Sequence, residues 1–370
     1  MNSLRFTLVI SSLSGGGAER VISNMANYWA ESGHQVSLIT FGDGGGPPFY
    51  EISDKVKWQT LGIVKESSSW FDGTLNNLKR IYLLRKAILR TEPQCVISFL
   101  YTTNILVLLA VHFISCPVII SERNEPRYSK QARTSWSWLR RSLYPLAKHL
   151  VVQTEGVKDF FRSYNRSVQV IPNPVLINPE SLKKDPEILL PTGKNIAAMG
   201  RLTTQKGFDM LIEVFAKLLS YHNDWNLVIM GEGVLKDELK SITRELNIER
   251  SVVFAGRVEN PFSILSRCDL FVLSSRFEGF PNALLEAMVC GLPVVSFDCP
   301  TGPNKIIQHG INGLLVPPEN KDELEEALHR LMENESLRKR MGKQTRNVSM
   351  QYAPDKIMVQ WEKLVLGGRD

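Results

Sequence analysis

The chain has 370 residues, 43% hydrophobic and 22% charged, an ordinary balance for a globular protein that buries a large core. This excludes disorder, a collagen-like repeat and a disulfide scaffold, and the length allows two domains or three small ones. A net charge of +6 suits an anionic substrate or an anionic membrane surface and is too diffuse to argue for nucleic acid.

Residues 6–10 read as a short apolar strand and residues 11–17 as a loop. Residues 18–31 read as a helix with Ile22, Met25, Ala26 and Trp29 on one face. An apolar run followed by small residues is also signal-like. Only Arg5 precedes it, however, and a glycine turn and amphipathic helix follow at once, so a strand fits better. Gly33 stops the helix and residues 35–40 begin the next strand. Further strands fall at 95–99, 118–121, 149–153 and 168–171. Residues 105–120 are the longest apolar run, but His112, Ser115 and Pro117 interrupt it. It is shorter than the ~20 residues of a membrane span and predicts a core helix running into a strand. No transmembrane helix is expected.

Near-continuous apolar strands joined by helices predict a parallel sheet covered on both faces. Ile171-Pro172-Asn173-Pro174 breaks this rhythm, because its two prolines enforce an extended chain, and it marks the domain boundary. After a polar stretch at 178–194, a second series places strands at 195–199, 226–230, 252–255, 270–273, 293–297 and 313–316. Residues 321–364 read as helices broken at Pro354. The expected division is 1–172, 173–352 and a terminal helix, 353–370, packing back toward the first domain. The fold class is α/β: two Rossmann-like, doubly wound domains facing a central cleft, where ligands of such sheets bind.

Cys95, Cys116, Cys268, Cys290 and Cys299 form no CxxC pair and read as reduced, buried thiols of a cytoplasmic protein. The histidines show no HxxxH spacing and the chain has no DxD, so neither a metal nor another cofactor is expected.

Gly15-Gly16-Gly17 lies between the first strand and helix, where glycines admit close backbone approach and a helix N-terminus favours an anion. Arg20 occupies the third glycine position of a dinucleotide fingerprint, which weakens that reading, and no P-loop is present. A tight turn and a phosphate or sugar contact both remain open here. Gly200–Gly207 places Arg201 and Lys206 after the first strand of the second domain, a planar fork and a compact charge suited to clamping a diphosphate. In Glu278-Gly279-Phe280-Pro281-Asn282-Ala283-Leu284-Leu285-Glu286, two carboxylates bracket a loop and a first helical turn. Asn282 is expected to cap that helix, leaving free N–H groups toward an anion. Glu286 points back toward the same spot from apolar surroundings, and ribose hydroxyls would satisfy it.

The ordered set Gly16-Gly17-Ala18-Glu19-Arg20, Gly200-Arg201…Lys206-Gly207, Gly231-Glu232-Gly233, Phe254-Ala255-Gly256-Arg257-Val258 and Glu278…Glu286 resembles retaining GT-B glycosyltransferases of family 4. Ser98–Asn104 and Ile120-Ser121-Glu122-Arg123-Asn124-Glu125 are similar to one subgroup. Its members are bacterial N-acetylgalactosaminyltransferases that extend polyprenyl-diphosphate-linked glycans, with relatives in exopolysaccharide and O-antigen assembly. The resemblance implies that Arg201 and Lys206 hold the donor diphosphate and that Glu286 binds ribose. It implies that Glu278 meets the transferred sugar, with Gly16, Gly17, Gly279, Phe280, Pro281 and Asn282 lining the donor and Val258 meeting the uracil. Glu122, Arg123 and Asn124 fall in the subgroup's acceptor region; at Arg123 many relatives carry histidine.

Residues 127–148 combine Arg127, Lys130, Arg133, Arg140, Arg141 and Lys148 with Trp136, Trp138 and Tyr144 and no acidic residue. Cations with amphipathic aromatics suit an anionic membrane interface or a polyprenyl diphosphate head group, while a solvated face with tryptophan packed inward has the same composition. The subgroup's acceptor region coincides with this stretch, which favours the first reading. The expectation is therefore a metal-independent transferase, peripheral on the cytoplasmic face of the membrane. It would move an N-acetylhexosamine, GalNAc first, from a UDP-sugar to a lipid-linked glycan, with no nucleic-acid partner. A UDP-sugar 2-epimerase and an inactive nucleotide-sugar or membrane-binding subunit would share the architecture.

Overall fold

The computed structural model describes residues 3–42, 46–63, 70–128, 136–175 and 190–367, with the side chains of 70–76, 136 and 349 outside the description. It divides into two compact units, Met1–Pro174 with Pro354–Asp370 and Val175–Ala353. The extended Pro172-Asn173-Pro174 run ends the first of them.

The first unit runs β1 (Arg5–Val9), α1 (Gly17–Glu31), β2 (Gln35–Thr40), β3 (Val56–Thr60), α2 (Trp70–Arg90), β4 (Cys95–Phe99), α3 (Tyr101–Ala110), β5 (Val118–Ser121), α4 (Trp136–Leu143), β6 (His149–Val152), α5 (Glu155–Phe161) and β7 (Val168–Val170). Its seven strands are ordered β3-β2-β1-β4-β5-β6-β7 and all pairs are parallel. Alternation along β1 splits the core between the two faces. Phe6 and Leu8 pack with Ile22, Met25 and Trp29 of α1, whereas Val9 packs with Leu84 and Ile88 of α2 and Ile105 of α3. Phe6 and Trp29 stack with ring centroids 4.4 Å apart.

The second unit runs β8 (Lys194–Met199), α6 (Phe208–Leu219), β9 (Trp225–Met230), α7 (Lys236–Glu245), β10 (Val252–Gly256), α8 (Pro261–Leu265), β11 (Leu270–Leu273), α9 (Asn282–Val289), β12 (Val294–Phe297), α10 (Pro303–Ile306), β13 (Gly313–Val316), α11 (Lys321–Glu333) and α12 (Glu335–Ser349). Six parallel strands are ordered β10-β9-β8-β11-β12-β13. Ile196 and Leu227 face α6 and α11, while Ala197 and Val228 face Leu284, Leu285 and Met288 of α9. In both sheets the strand order reverses beside the first strand of the unit, the position where open α/β sheets hold ligands beyond the strands' carboxyl ends.

The last helix, α13 (Pro354–Leu366), belongs to the first unit: Ile357, Met358 and Trp361 are buried with the α1 face of its sheet. The 105–120 run divides into α3 and β5 around a short turn. No helix among the described residues is long and apolar enough to cross a membrane. All five cysteines are free, and burial pushes the Cys268, Cys290 and Cys299 thiols up to about 12.

Candidate active site

The carboxyl ends of β8, β9 and β10 close on glycine. Gly231 sits at φ 141°, and a Cβ there would lie 1.9 Å from the Gly200 carbonyl oxygen. The next loop makes a short 3-10 turn at Thr204–Lys206 and ends on Gly207 in the left-handed region at φ 63°. A Cβ at Gly207 would lie 2.1 Å from the Ser274 carbonyl, so only glycine lets this loop approach the end of β11.

That approach is stitched by hydrogen bonds. Ser274 Oγ donates to the Lys206 carbonyl at 2.9 Å, Arg276 N to the Gln205 carbonyl at 2.8 Å and Gln205 Nε2 to the Phe277 carbonyl at 3.0 Å. Arg276 adds a fork to Asp209, with Nη1–Oδ1 3.0 Å and Nη2–Oδ2 2.7 Å, and a bond to the Thr204 carbonyl at 2.7 Å. Burial pushes the Asp209 carboxyl up, but the Arg276 hydrogen bonds and charge outweigh it and hold that carboxyl below its usual range. Sequence reasoning missed Arg276 and Asp209, because their pairing crosses 67 residues and belongs to no local motif.

The stitched loops bring Lys206 onto Glu278. Nζ lies 2.5 Å from Oε1, and Ser275 Oγ donates to the same oxygen at 2.6 Å. Glu278 is 4% exposed, and Thr301 N and Oγ1 anchor its carbonyl at 3.0 and 2.9 Å. Arg201 is exposed at the mouth of the same loop. Glu286 is 3% exposed on α9, among the apolar neighbours its sequence implied. Gly279, Phe280 and Val258 are half-buried, the last in the loop after β10. Helix α9 begins one residue earlier than expected: Pro281 holds the N-cap, its carbonyl accepting from Leu284 N at 3.1 Å and Leu285 N at 3.3 Å. Asn282 is the first helical residue and does not cap the helix, because the non-helical backbone at Pro281 puts the helix start at Asn282.

In the first unit, Gly16 and Gly17 open α1. The Glu19 carboxylate accepts from Gly16 N and from Ser12 Oγ at 2.5 Å, and Tyr50 OH bonds the Gly15 carbonyl at 3.1 Å. The Gly16 N–H is therefore engaged within the turn rather than offered to an anion. Glu19 is the residue that fixes this turn; its place three positions after the helix cap was the available signal.

The expected basic face divides. Arg140 is 5% exposed, with its guanidinium 4.9 Å from the Tyr101 ring, 5.1 Å from Phe161 and 5.3 Å from Tyr164. Its Nη1 lies 3.8 Å from Glu122 Oε1, and Tyr144 OH donates to that same carboxylate. Burial pushes the Glu122 carboxyl up, against the opposing pull of Arg140 and the Tyr144 bond. Arg140 and Glu122 thus form an internal node, contrary to the expectation of an exposed face, because the α4 helical turn aims Arg140 inward. Trp138, 71% exposed, and Arg141 point outward from α4, and Asn124 is also exposed. Arg127 donates to the Gly156 carbonyl at 3.1 Å. Lys130 and Arg133 lie outside the described residues. Arg123 is 8% exposed, directly after Glu122.

At the amino end of the second sheet, His222, His329 and Glu333 each bring one ligand-type atom within 4.8 Å of the others. The His329-x3-Glu333 spacing was legible, but the partner at 222 was not.

Two parallel sheets with reversed strand order, one carrying a lysine–carboxylate pair and an exposed arginine beyond its strand ends, are the parts of a two-domain α/β protein that binds an anionic ligand. Residues 181–348 match the family described as Glycosyl transferases group 1, and residues 15–178 match Glycosyltransferase Family 4. The chain belongs to these glycosyltransferases and has the GT-B fold. It is 28% identical to a Campylobacter jejuni alpha-1,4-N-acetyl-D-galactosaminyltransferase acting on a GalNAc-containing undecaprenol diphosphate glycan, over 98% of each chain. It is also 28% identical to lipopolysaccharide 1,6-galactosyltransferase of Salmonella typhimurium, over 90% of each. The sucrose-phosphate synthase structure from Thermosynechococcus elongatus superposes with a TM-score of 0.83 at 17% identity over 98% of each chain.

Proposed function

We propose that this glycosyltransferase moves an N-acetylhexosamine, GalNAc first, from a UDP-sugar to a polyprenyl-diphosphate-linked glycan, with retention at the anomeric carbon and without a metal. The observation that carries the reading is Lys206 held 2.5 Å from buried Glu278, with Arg201 exposed on the same loop. Breaking the anomeric C–O bond leaves negative charge on the departing diphosphate, and Lys206, held by Glu278, stabilises that charge together with Arg201. The acceptor oxygen bonds to the anomeric carbon, and its proton goes to the departing phosphate on the same face. Glu278 orients the transferred sugar and Glu286 takes ribose hydroxyls. The Campylobacter relative supports the donor sugar and lipid-linked acceptor, and the Salmonella relative shows that galactose is handled by similar chains.

The outward Trp138 and Arg141 of α4 support peripheral attachment to the anionic cytoplasmic face of the membrane. The deciding experiment is nucleotide release from a panel of UDP-sugars, with and without membrane extract containing polyprenyl-diphosphate saccharides. Acceptor-dependent UDP release with UDP-GalNAc, lost in Glu286→Ala, is expected. Release from another sugar corrects the donor, release without acceptor points to an epimerase, and no release overturns the reading. Sedimentation with anionic vesicles that is lost in high salt tests the attachment.

A further inference from the structure

Arg123 stands two residues beyond the end of β5, at the carboxyl edge of the seven-stranded sheet. Only 8% of the residue is exposed, yet its charge has little to meet. Its Nη1 donates to Asn173 Oδ1, and its guanidinium lies 3.7 Å from the Phe99 ring centroid and 5.6 Å from that of Trp361. Among the described residues, Nε and Nη2 have no hydrogen-bond partner and no carboxylate pairs with the group. The neighbouring Glu122 is already shared by Arg140 and Tyr144. Burial without a counter-charge pushes the Arg123 pKa down to about 9.

A buried guanidinium with two unfilled donors costs several kcal/mol unless an anion completes it. The aromatic faces offset part of that cost, but they cannot fill in-plane N–H groups. Nε and one terminal nitrogen form the fork that takes two oxygens of one carboxylate or phosphate. Phe99, Trp361 and Asn173 fix the plane of the group, so the fork is preorganised. We propose that Arg123 is a binding site for an anionic group of a substrate, a phosphate or carboxylate held through Nε and Nη2. This deepens the transferase reading, since the anion belongs either to the nucleotide-sugar donor or to the diphosphate-linked acceptor.

Three measurements on the full chain test the site, comparing wild type with Arg123→Gln and Arg123→His. The first needs no turnover: the rise in melting temperature with added inorganic pyrophosphate, which shrinks in the variants if Arg123 contributes an anion site. The second is the Kd for the UDP-sugar, and the third is the KM for the lipid-diphosphate acceptor. A loss of about tenfold or more is expected in one of the two, the scale of a charge-assisted pair. A loss confined to Kd assigns the anion to the donor, and one confined to KM assigns it to the acceptor. Arg123→Lys, which keeps the charge without the fork, recovers part of the loss and serves if the neutral variants do not fold. Unchanged behaviour in all three measurements overturns the proposal. Failure of the transferase reading is separable, because it abolishes turnover while leaving the pyrophosphate response of wild type over its variants intact.

Discussion

At the scale of single residues, the Lys206–Glu278 pair has two tasks that separate in measurement. With side chains 15% and 5% exposed, the pair satisfies a carboxylate that otherwise keeps, among the described residues, the Ser275 hydroxyl. Removing the lysine strands a buried charge, which destabilises more strongly than removing both partners. Lys206→Ala and Glu278→Gln are therefore expected to be non-additive, with a coupling of about 1–3 kcal/mol in a denaturation double-mutant cycle. In turnover, Lys206→Ala and Arg201→Ala are each expected to lower kcat by about 10²-fold, more than they weaken donor binding, as for loss of a donor to developing charge. Donor affinity falling while kcat holds would make the two cations mere anchors. Both residues were legible in the sequence, since a cation pair after a first strand is a local pattern. Their contact with Glu278 was not, because it spans 72 residues and depends on how two loops meet.

At the scale of elements, those loops are joined by Arg276 and Asp209, with side chains 22% and 34% exposed. Partial exposure screens the pair, so Asp209→Asn is expected to cost about 1 kcal/mol at neutral pH. The sign of its pH dependence follows from Arg276 holding the Asp209 pKa below the ordinary aspartate value of 3.8. A depressed carboxylate contributes stability that is present above its unfolded pKa and is lost as pH falls through the folded one. Wild type should thus exceed Asp209→Asn by the full amount above about pH 4, and the gap should close below it; a gap constant down to pH 2 would exclude the ion pair as its source. The apolar strands were legible because parallel strands covered on both faces read as unbroken hydrophobic runs. Strand β3 was not: at the sheet edge, exposed Lys57 and Gln59 alternate with Val56, Trp58 and Thr60, so its composition carries no such run. The α9 cap was misplaced because composition favours asparagine at a cap, whereas the non-helical backbone at Pro281 puts the helix start at Asn282 and leaves the cap without a side-chain acceptor.

At the scale of the whole molecule, each unit closes its own core, and the chain's last helix completes the first. Trp361 is fully buried in the α1-side core, 6.1 Å from the Phe99 ring, while the indole N–H of Trp29 donates to Glu362 at 3.0 Å. The first unit is thus built from two separate stretches of sequence, and the residues between them form the second unit. Emptying a site of this size costs about 3–5 kcal/mol for tryptophan to alanine. Two separate cores of similar size predict two calorimetric transitions rather than one, since cooperativity follows shared burial. Trp361→Ala should lower one transition and leave the other in place. Saturating UDP should raise the transition that Trp361→Ala does not move, because Lys206, Glu278 and Glu286 all belong to the second unit, and a ligand stabilises only the unit that binds it. If UDP raises only the transition that Trp361→Ala lowers, the nucleotide is held by the first unit alone and Arg201 and Lys206 are not its clamp.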